Sequence, residues 1–261
     1  MFRRRERFER TDVPRENPYR NVIGVVVCVV VFAALAVVVS AVWNRVSLES
    51  RLGDVDLSEA VDSQGSVAVA ASGYAASTDD RELTLLLVTD DVDAAGSALS
   101  SVRVLSVNHT RGAAGYINLP ADVAVTFGET RVSLSSLFAT DGYAACVRPL
   151  AAATGIAFDH VVVSSGDVVA EAASLAGSDS SALLRSASDF LKKIRTDMDA
   201  TELLSLAGSI APVGVENITA FDAPLVTDVA TDADGNLVET GLQAVDAVQL
   251  AITLGLLVPG A

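Results

Sequence analysis

The chain has 261 residues and carries 33 Asp or Glu against 18 Lys or Arg, which gives a formal net charge of −15 at pH 7. A chain this acidic repels nucleic acid and anionic lipid, so nucleic-acid binding is disfavoured. The sequence has only two histidines and two cysteines. This argues against a structural zinc site, because such sites need four clustered Cys or His ligands.

The first predicted element is a membrane-spanning helix from Val22 to Trp43, a run of apolar and small residues without one charge. At ~1.5 Å per residue this helix covers the roughly 30 Å hydrocarbon core of a bilayer. A buried core helix is rarely apolar on every side over such a length. A cleaved signal peptide would have a shorter apolar run and an A-x-A-like site, which the ending SAVWN lacks. We therefore predict an uncleaved signal-anchor with the membrane as its partner.

The charges that flank this segment predict its orientation. Residues 1–20 contain seven Arg, whereas only Arg45 and Arg51 precede Arg81 on the other side. Because positive flanks stay in the cytoplasm, we predict a protein of the cell membrane with a cytoplasmic N-terminus. The predicted division is a basic tail at 1–20, the signal-anchor at 22–43, a membrane-proximal stalk and domain entry at 44–79, and an extracytoplasmic domain at 80–261.

The predicted extracytoplasmic part is strongly acidic. Residues 46–261 carry ten Lys or Arg and 29 Asp or Glu, a formal charge of −19. Such a surface also keeps an Ala- and Val-rich domain soluble, so the charge alone identifies no ligand. Cys28 lies inside the predicted span and Cys146 outside it, so we predict no intrachain disulfide.

The pattern after the span begins with a short stalk or helix at 46–65, followed by 66–77, which fits a strand or a helix. Arg81–Thr89 (RELTLLLVT) is apolar and lies between Asp pairs, which predicts a buried strand. Val102–Val107 and Gly115–Val125 are joined by a glycine-containing turn and predict a hairpin. Pro120 cannot donate a ladder hydrogen bond and predicts a strand end or a bulge, which directs Ala121 and Asp122 off the sheet.

Strand and helix patterns alternate through the rest of the chain. We predict helices at 133–153 in two pieces around Asp141-Gly142, at 167–176, at 181–194, at 201–207 and at 241–256, and strands at 159–164, 215–221 and 225–230. Interleaved strands and helices predict an α/β fold with a mixed β-sheet.

Two motifs have simpler explanations than a functional site. Asp232, Asp234 and Asn236 resemble the start of a calcium loop, but Gly235 is one place early and Gln243 stands where the closing Glu belongs. We predict a hairpin turn there. His160 follows Asp159 on an apolar strand, and we predict a satisfied core or rim histidine rather than a catalytic base.

Residues from about 80 to 250 resemble the LytR–CpsA–Psr (LCP) domain of bacterial envelope proteins. The segment LLVTD at 86–90 is similar to the first strand of that family, and YINLPAD at 116–122 to its hairpin that ends in Ile-Pro-Arg-Asp. TGIAFDH at 154–160 is similar to its Leu-Gly-Ile-Pro-Ile-Asp-His stretch. The segment FLK at 190–192 resembles a later helix of that family, and the Asp-Gly pair at 234–235 resembles a turn near the end of its domain.

This resemblance implies a mixed sheet with helices on both faces, in an α/β/α arrangement that follows one transmembrane helix. It also implies an extracellular phosphotransferase that moves a glycopolymer from a polyprenyl-pyrophosphate carrier onto peptidoglycan with Mg²⁺. A lipid tunnel between sheet and helices would be lined by residues at 83–88, 145–157 and 247–257. A pyrophosphate leaving group needs arginine forks and a metal held by carboxylates.

The chain departs from the family where this chemistry resides. The Arg-x-Asp-Thr of the family falls on ALSS at 98–101, its Pro-Arg-Asp becomes Pro120-Ala121-Asp122, and its later arginine-rich segment is reduced to Arg185, out of register. The residues that remain as candidates are few. They are Asp90 and Asp122 as metal ligands, Asp122 and Arg103 as catalytic groups, Arg111 and Arg148 as ligand-binding cations, and Asp91 and Asp93 as spare acids.

Three hypotheses follow. The first is an extracytoplasmic LCP-like envelope protein whose transferase site has decayed, with a binding, scaffold or regulatory role and no cofactor. The second is an active Mg²⁺-dependent phosphotransferase acting on a polyprenyl-linked glycan and peptidoglycan. The third is an unrelated anchored domain that binds envelope proteins. We favour the first, because each lost bidentate arginine removes charge-assisted bonds worth ~1.5–3 kcal/mol.

Overall fold

A computed structural model describes residues 51–65, 69–94, 96–166, 191–210, 212–213, 217–231 and 235–260. The predicted tail, the signal-anchor from Val22 to Trp43 and the helix predicted at 167–176 lie outside these ranges, as do most of the helix predicted at 181–194 and Asp232 and Asp234 of the predicted turn. No helix within the described ranges is long and apolar enough to cross a bilayer.

The described residues form thirteen strands and four helices. The strands are β1 (Arg51–Leu52), β2 (Tyr74–Ala76), β3 (Arg81–Thr89), β4 (Leu99–Asn108), β5 (Ala113–Leu119), β6 (Ala124–Phe127), β7 (Thr130–Ser133), β8 (His160–Ser165), β9 (Ile194–Thr196), β10 (Thr219–Asp222), β11 (Leu225–Thr231), β12 (Leu237–Val245) and β13 (Leu257–Pro259). The helices are α1 (Val55–Asp62), α2 (Leu134–Thr154), α3 (Ala200–Ile210) and α4 (Ala247–Thr253).

Seven of these strands form one mixed sheet in the order β1-β9-β8-β3-β4-β5-β10. The central strand β3 runs antiparallel to β4 and parallel to β8, and β5 runs antiparallel to β4 and parallel to β10. The carboxyl ends of β3, β5, β8 and β10 therefore lie at one edge of the sheet. The buried strand predicted at Arg81–Thr89 and the hairpin that follows it are confirmed, with β4 longer than predicted and β5 beginning two residues earlier and ending at Leu119.

Helices cover both faces of the sheet. Alternate residues of a strand point to opposite sides, so a strand that is apolar throughout has apolar side chains to bury on each face. Leu85 and Leu87 of β3 pack in one core with Leu150 of α2 and Leu250 of α4. Leu86, between them in sequence, packs in a second core with Leu206 of α3 and Met198. The predicted mixed α/β sheet with helices on both faces is confirmed for the described residues.

Helix α2 consists of two pieces, as predicted. Gly142 has φ 83° and ψ −177° in the middle of the run Leu134–Thr154. Glycine has no Cβ and adopts this conformation without strain, which explains why the break falls there. Ser133 caps the first piece, since its side chain accepts a hydrogen bond from the backbone N–H of Ser136.

Three predictions of secondary structure were wrong in part. Ile194, predicted as the end of a helix, begins β9, and 241–245, predicted as helix, belongs to β12. In both cases pairing with a neighbouring strand, β8 or β11, overrides the local apolar pattern. The strand run predicted at Gly115–Val125 ends at Leu119, and a separate hairpin, β6–β7, turns at Gly128 with φ 61°. The sequence did not predict that hairpin.

Candidate functional site

The candidate site is the edge of the sheet at which β3, β5, β8 and β10 end. We call it the C-terminal rim and define it by Asp90, Asp122 and Asp222. Asp90 directly follows β3, Asp122 follows β5 by three residues, and Asp222 ends β10. All three are exposed to solvent. Asp90 and Asp122 therefore follow strands that end at the same edge of the sheet.

The hydrogen bonds around Asp90 and Asp122 are made by residues of the adjoining turns and strand ends. The Ser100 hydroxyl donates to Oδ1 of Asp90 at 3.2 Å, across the start of β4. Asp122 lies in a turn that Pro120 begins, because the N–H of Val123 donates to the Pro120 carbonyl at 3.2 Å. The Ser135 N–H donates to the Ala121 carbonyl at 2.7 Å. These bonds fix the turn to the start of α2 and leave the Asp122 side chain facing solvent.

The arginines predicted as replacement cations lie in three different places. Arg111 is in the β4–β5 turn at the opposite rim, with its Nε 2.7 Å from Oδ2 of Asp79. Arg148 is on α2 and lines a groove. Arg103 is on the sheet face that α3 covers, with its guanidinium carbon 5.4 Å from the centre of the Tyr116 ring. The structure does not bring these three cations together.

Two arginines that the sequence analysis missed do converge near the rim. Arg195 of β9 donates from Nη1 to Oδ2 of Asp54 at 2.6 Å and from Nη2 to Oδ1 of Asp93 at 3.1 Å. Arg51 of β1 pairs through Nη2 with Oδ2 of the same Asp93 and donates through Nη1 to the Lys192 carbonyl. We call these four residues, Arg51, Asp54, Asp93 and Arg195, the rim cluster. It holds two positive and two negative charges.

The surroundings of the rim cluster keep Arg195 charged and in place. Its guanidinium carbon lies 5.1 Å from the centre of the Tyr143 ring of α2. Burial disfavours the charge of Arg195, but its hydrogen bonds to Asp54 and Asp93 outweigh this, and its pKa is raised. Burial also raises the pKa of Tyr143, which keeps the phenol neutral. Arg195 and Asp54 are 141 residues apart in the sequence, so no local pattern could have paired them.

The predicted magnesium ligands do not form a closed metal cage. Within the described ranges, no group of three or more His, Cys, Asp or Glu side chains is placed to hold a metal ion. Magnesium usually keeps several waters and takes one or two protein carboxylates together with phosphate oxygens. The assignment of Asp90 and Asp122 as magnesium ligands therefore remains a prediction.

A groove of about 950 Å³ runs between α1, α2 and the β6–β7 turn. Its charged lining is Asp56, Glu59, Asp141 and Arg148, and Tyr143 connects it to the rim cluster. By contrast, the stretches predicted to line a lipid tunnel contribute fully buried residues to the first core, among them Leu85 and Leu150.

His160 is a satisfied rim histidine, as predicted. Its Nδ1 lies 2.8 Å from Oδ2 of Asp197, at the rim opposite Asp90. The hydrogen bond with Asp197 raises the pKa of His160 against the effect of burial, with help from the charge of Glu82. A histidine held in this way is an ion-pair partner within the fold.

No family model and no curated protein matches the chain. Several solved structures are similar to it. TagV of B. subtilis shares 11% identity at a TM-score of 0.48, over 69% of this chain and 96% of TagV. A structure of TagT bound to LI-WTA shares 13% identity at 0.45, over 74% and 95%, and Lin1025 of Listeria innocua shares 12% at 0.45, over 67% and 95%.

TagV and TagT are proteins of the LytR–CpsA–Psr family, the family that the sequence motifs resemble. At 11–13% identity these similarities concern the fold.

Proposed function

We propose that this chain is an LCP-like protein of the cell envelope in which the phosphotransferase site has decayed. In this proposal the segment from Val22 to Trp43 anchors it in the membrane, and the domain on the outer side binds or organises envelope components. Polyprenyl-linked glycan, peptidoglycan and envelope proteins are the partners to test. One observation carries the proposal, namely the state of the arginines at the C-terminal rim.

Both rim arginines are already engaged by carboxylates. Arg195 is shared between Asp54 and Asp93, and Arg51 pairs with Asp93. A diphosphate needs guanidinium forks that are available for bidentate hydrogen bonds. To bind here, it would have to displace two carboxylates while Asp90 and Asp122 add negative charge nearby, and that repulsion supports a loss of transferase activity.

The chain's own residues also fill the positions where the family carries an arginine-containing motif. Leu99 is 7% exposed and belongs to the first core. The neighbouring Ser100 donates to Asp90. A hydroxyl and an aliphatic side chain at these positions cannot neutralise a developing negative charge, which is the main requirement of phosphoryl transfer.

The second candidate is an active Mg²⁺-dependent phosphotransferase, and the rim cluster is the observation that favours it. Both guanidinium groups pair with Asp93, which lies only three residues after the predicted metal ligand Asp90. In this candidate Asp90 and Asp122 would hold Mg²⁺, which neutralises the diphosphate. Arg51 and Arg195 would exchange their carboxylates for phosphate oxygens.

One experiment separates the two candidates. The full-length chain in nanodiscs is titrated with polyprenyl pyrophosphate in Mg²⁺ or in EDTA, and binding and phosphate release are both recorded. We expect release no faster than from empty nanodiscs and no gain of affinity from Mg²⁺. Mg²⁺-dependent binding with release that disappears in a folded Arg195→Met variant, but persists in Arg148→Met, would overturn the proposed decay and establish the second candidate.

A further inference from the structure

The β11–β12 ribbon, residues 225–231 and 237–245, exposes an unusual amount of apolar surface. Nine large apolar side chains of the described residues are exposed, and four of them are on this ribbon. They are Val226 at 48%, Val229 at 49%, Leu237 at 75% and Val238 at 49%. Single exposed apolar residues are ordinary, but a concentration of them on one element marks an interaction surface.

The exposed side chains lie on both faces of the ribbon. Val229 pairs with Glu239 and Thr231 with Leu237, so Val229 and Leu237 share one face, whereas Val238, opposite Ala230, is on the other. A partner that covered one face would leave the other face in water. A strand added beside the ribbon places side chains next to both faces at once, which is how edge addition buries such residues.

The middle of the ribbon is bonded to the β6–β7 hairpin through Asp228. Asp228 is 2% exposed, and the Nε of Arg131 donates to its Oδ1 at 3.0 Å and to its Oδ2 at 3.1 Å. The Thr240 hydroxyl donates to Oδ2 of Asp228 at 2.8 Å. These bonds join both ribbon strands to β7. An edge fixed in this way loses little conformational freedom when another strand pairs with it.

Two-stranded sheets leave backbone N–H and C=O groups unpaired along their outer edges. Within the described ranges β11 and β12 pair only with each other. Natural proteins often protect such edges with lysine. The ribbon lacks this protection, because the chain has no Lys, Arg or His after Arg195.

The charge around the ribbon selects the type of partner. The two ribbon strands contain no Lys, Arg or His, and their acids are the exposed Glu239 and Asp228, which pairs with Arg131 of β7. Residues 46–261 as a whole carry a formal charge of −19. A second copy of this chain would bring the same negative charge to the contact, and an anionic bilayer would be repelled as well.

We propose that the β11–β12 ribbon is a docking site for an extended segment of a partner protein, in which lysine or arginine alternates with apolar residues. The segment adds to the ribbon as a further strand. Its apolar side chains lie beside Val238 on one face, and its cations lie beside Glu239 on the other face, where their aliphatic stems cover Leu237. The proposal rests on the exposure and charge of the ribbon. It is independent of whether the C-terminal rim is active, so the two experiments can fail separately.

The test uses the full-length chain in nanodiscs of neutral lipid and a labelled nine-residue peptide of alternating valine and lysine. We expect saturable binding that weakens at least tenfold in the double variant Leu237→Ser, Val238→Ser, and weakens less in Glu239→Gln. Val55→Ser is the matched control, because Val55 is 66% exposed on α1, and it should leave binding unchanged. Circular dichroism verifies that each variant is folded.

Four results would overturn the proposal. Equal binding of the peptide to the double variant and to wild type would show that charge attraction alone accounts for it. Equal binding of a valine–glutamate peptide would show that the charge of the ribbon does not select the partner. A peptide with N-methylated backbone that binds as well as its parent would exclude strand addition. Sedimentation of wild type as a dimer and of the double variant as a monomer would assign the ribbon to self-association instead.

Discussion

The two ends of the central strand β3 use carboxylates in opposite ways. At its amino end Glu82 lies 3.1 Å from Nε2 of His109 and 3.8 Å from Nε2 of His160, and Asp79 holds Arg111 and Asn108. At its carboxyl end the exposed Asp90 accepts one bond from Ser100. Acids of the first kind hold segments together, whereas exposed acids of the second kind contribute little to the fold and are available to a ligand.

The rim cluster complicates this contrast, because it places a tight ion-pair network beside the exposed acids. Arg195 bridges α1, through Asp54, to the loop after β3, through Asp93. Asp54 also caps α1 by accepting from the Leu57 N–H at 3.0 Å. The C-terminal rim thus combines a structural network with two acids that have no evident structural role. The predictions below separate these parts.

We expect the largest effect from Arg195→Met. The substitution removes two charge-assisted hydrogen bonds and leaves the 10%-exposed carboxylate of Asp54 without its cation. The loss of unfolding free energy should be about 2–3 kcal/mol after allowance for partial exposure. Urea unfolding measures it. Arg148→Met, at an exposed position of α2, serves as control, and a cost for Arg195→Met no greater than that of the control would show that the cluster is not structural.

Asp197→Ala should cost about 2 kcal/mol. Oδ1 of Asp197 accepts the Val161 N–H at 2.6 Å and Oδ2 bonds with His160, so the substitution leaves a backbone donor of β8 unpaired. The control is Asp80→Ala, an exposed acid near the same rim, which should change stability by less than about 0.5 kcal/mol. Equal values for the two variants would contradict the contrast between structural and exposed acids.

The pH dependence of stability tests the same rim. The pKa of His160 is raised above its ordinary value by Asp197 and Glu82. A raised pKa in the folded state gives stability that is complete below the unfolded pKa of about 6.5 and is lost as the pH rises through the folded value. The difference in thermal midpoint between wild type and His160→Gln should therefore shrink from pH 5.5 toward pH 9. A difference that is constant over this range would refute the assignment.

The smallest effects are expected for Asp90→Asn and Asp122→Asn, each within about 0.5 kcal/mol of wild type. Asparagine keeps an acceptor for the Ser100 hydroxyl, and the turn at Asp122 is fixed by backbone bonds. Thermal unfolding of both variants measures this. A cost above 1 kcal/mol in either one would mean that these carboxylates serve the fold, and the rim would then lose its standing as a candidate site.

Local patterns were enough for the elements whose surroundings are simple. The run Arg81–Thr89 predicted the central strand because a strand buried on both faces has to be apolar throughout. Gly142 predicted the break in α2, since only glycine tolerates its φ of 83°. Pro120 predicted a strand end or a bulge, because it cannot donate to the ladder, and β5 ends at Leu119 directly before it.

Local patterns failed where pairing with a distant strand decided the outcome. Ile194 and residues 241–245 read as helix in isolation, but β8 and β11 offer them strand partners. The candidate site shows the same limit. The motifs predicted Asp90 and Asp122 at the ends of two strands, whereas no local pattern could predict that Arg111 pairs with Asp79 at the opposite rim or that Arg148 lines a groove.

The sequence by itself determined the α/β class, the order of most elements and the placement of two acids at strand ends, because apolar periodicity, glycine and proline act over a few residues. Only the tertiary structure decided which carboxylates the cations pair with. Arg195 reaches Asp54 across 141 residues and Asp93 across 102. An ion pair depends on distance in space, and the chain sets that distance only after the sheet has brought β1, β9 and the loop after β3 to the same edge.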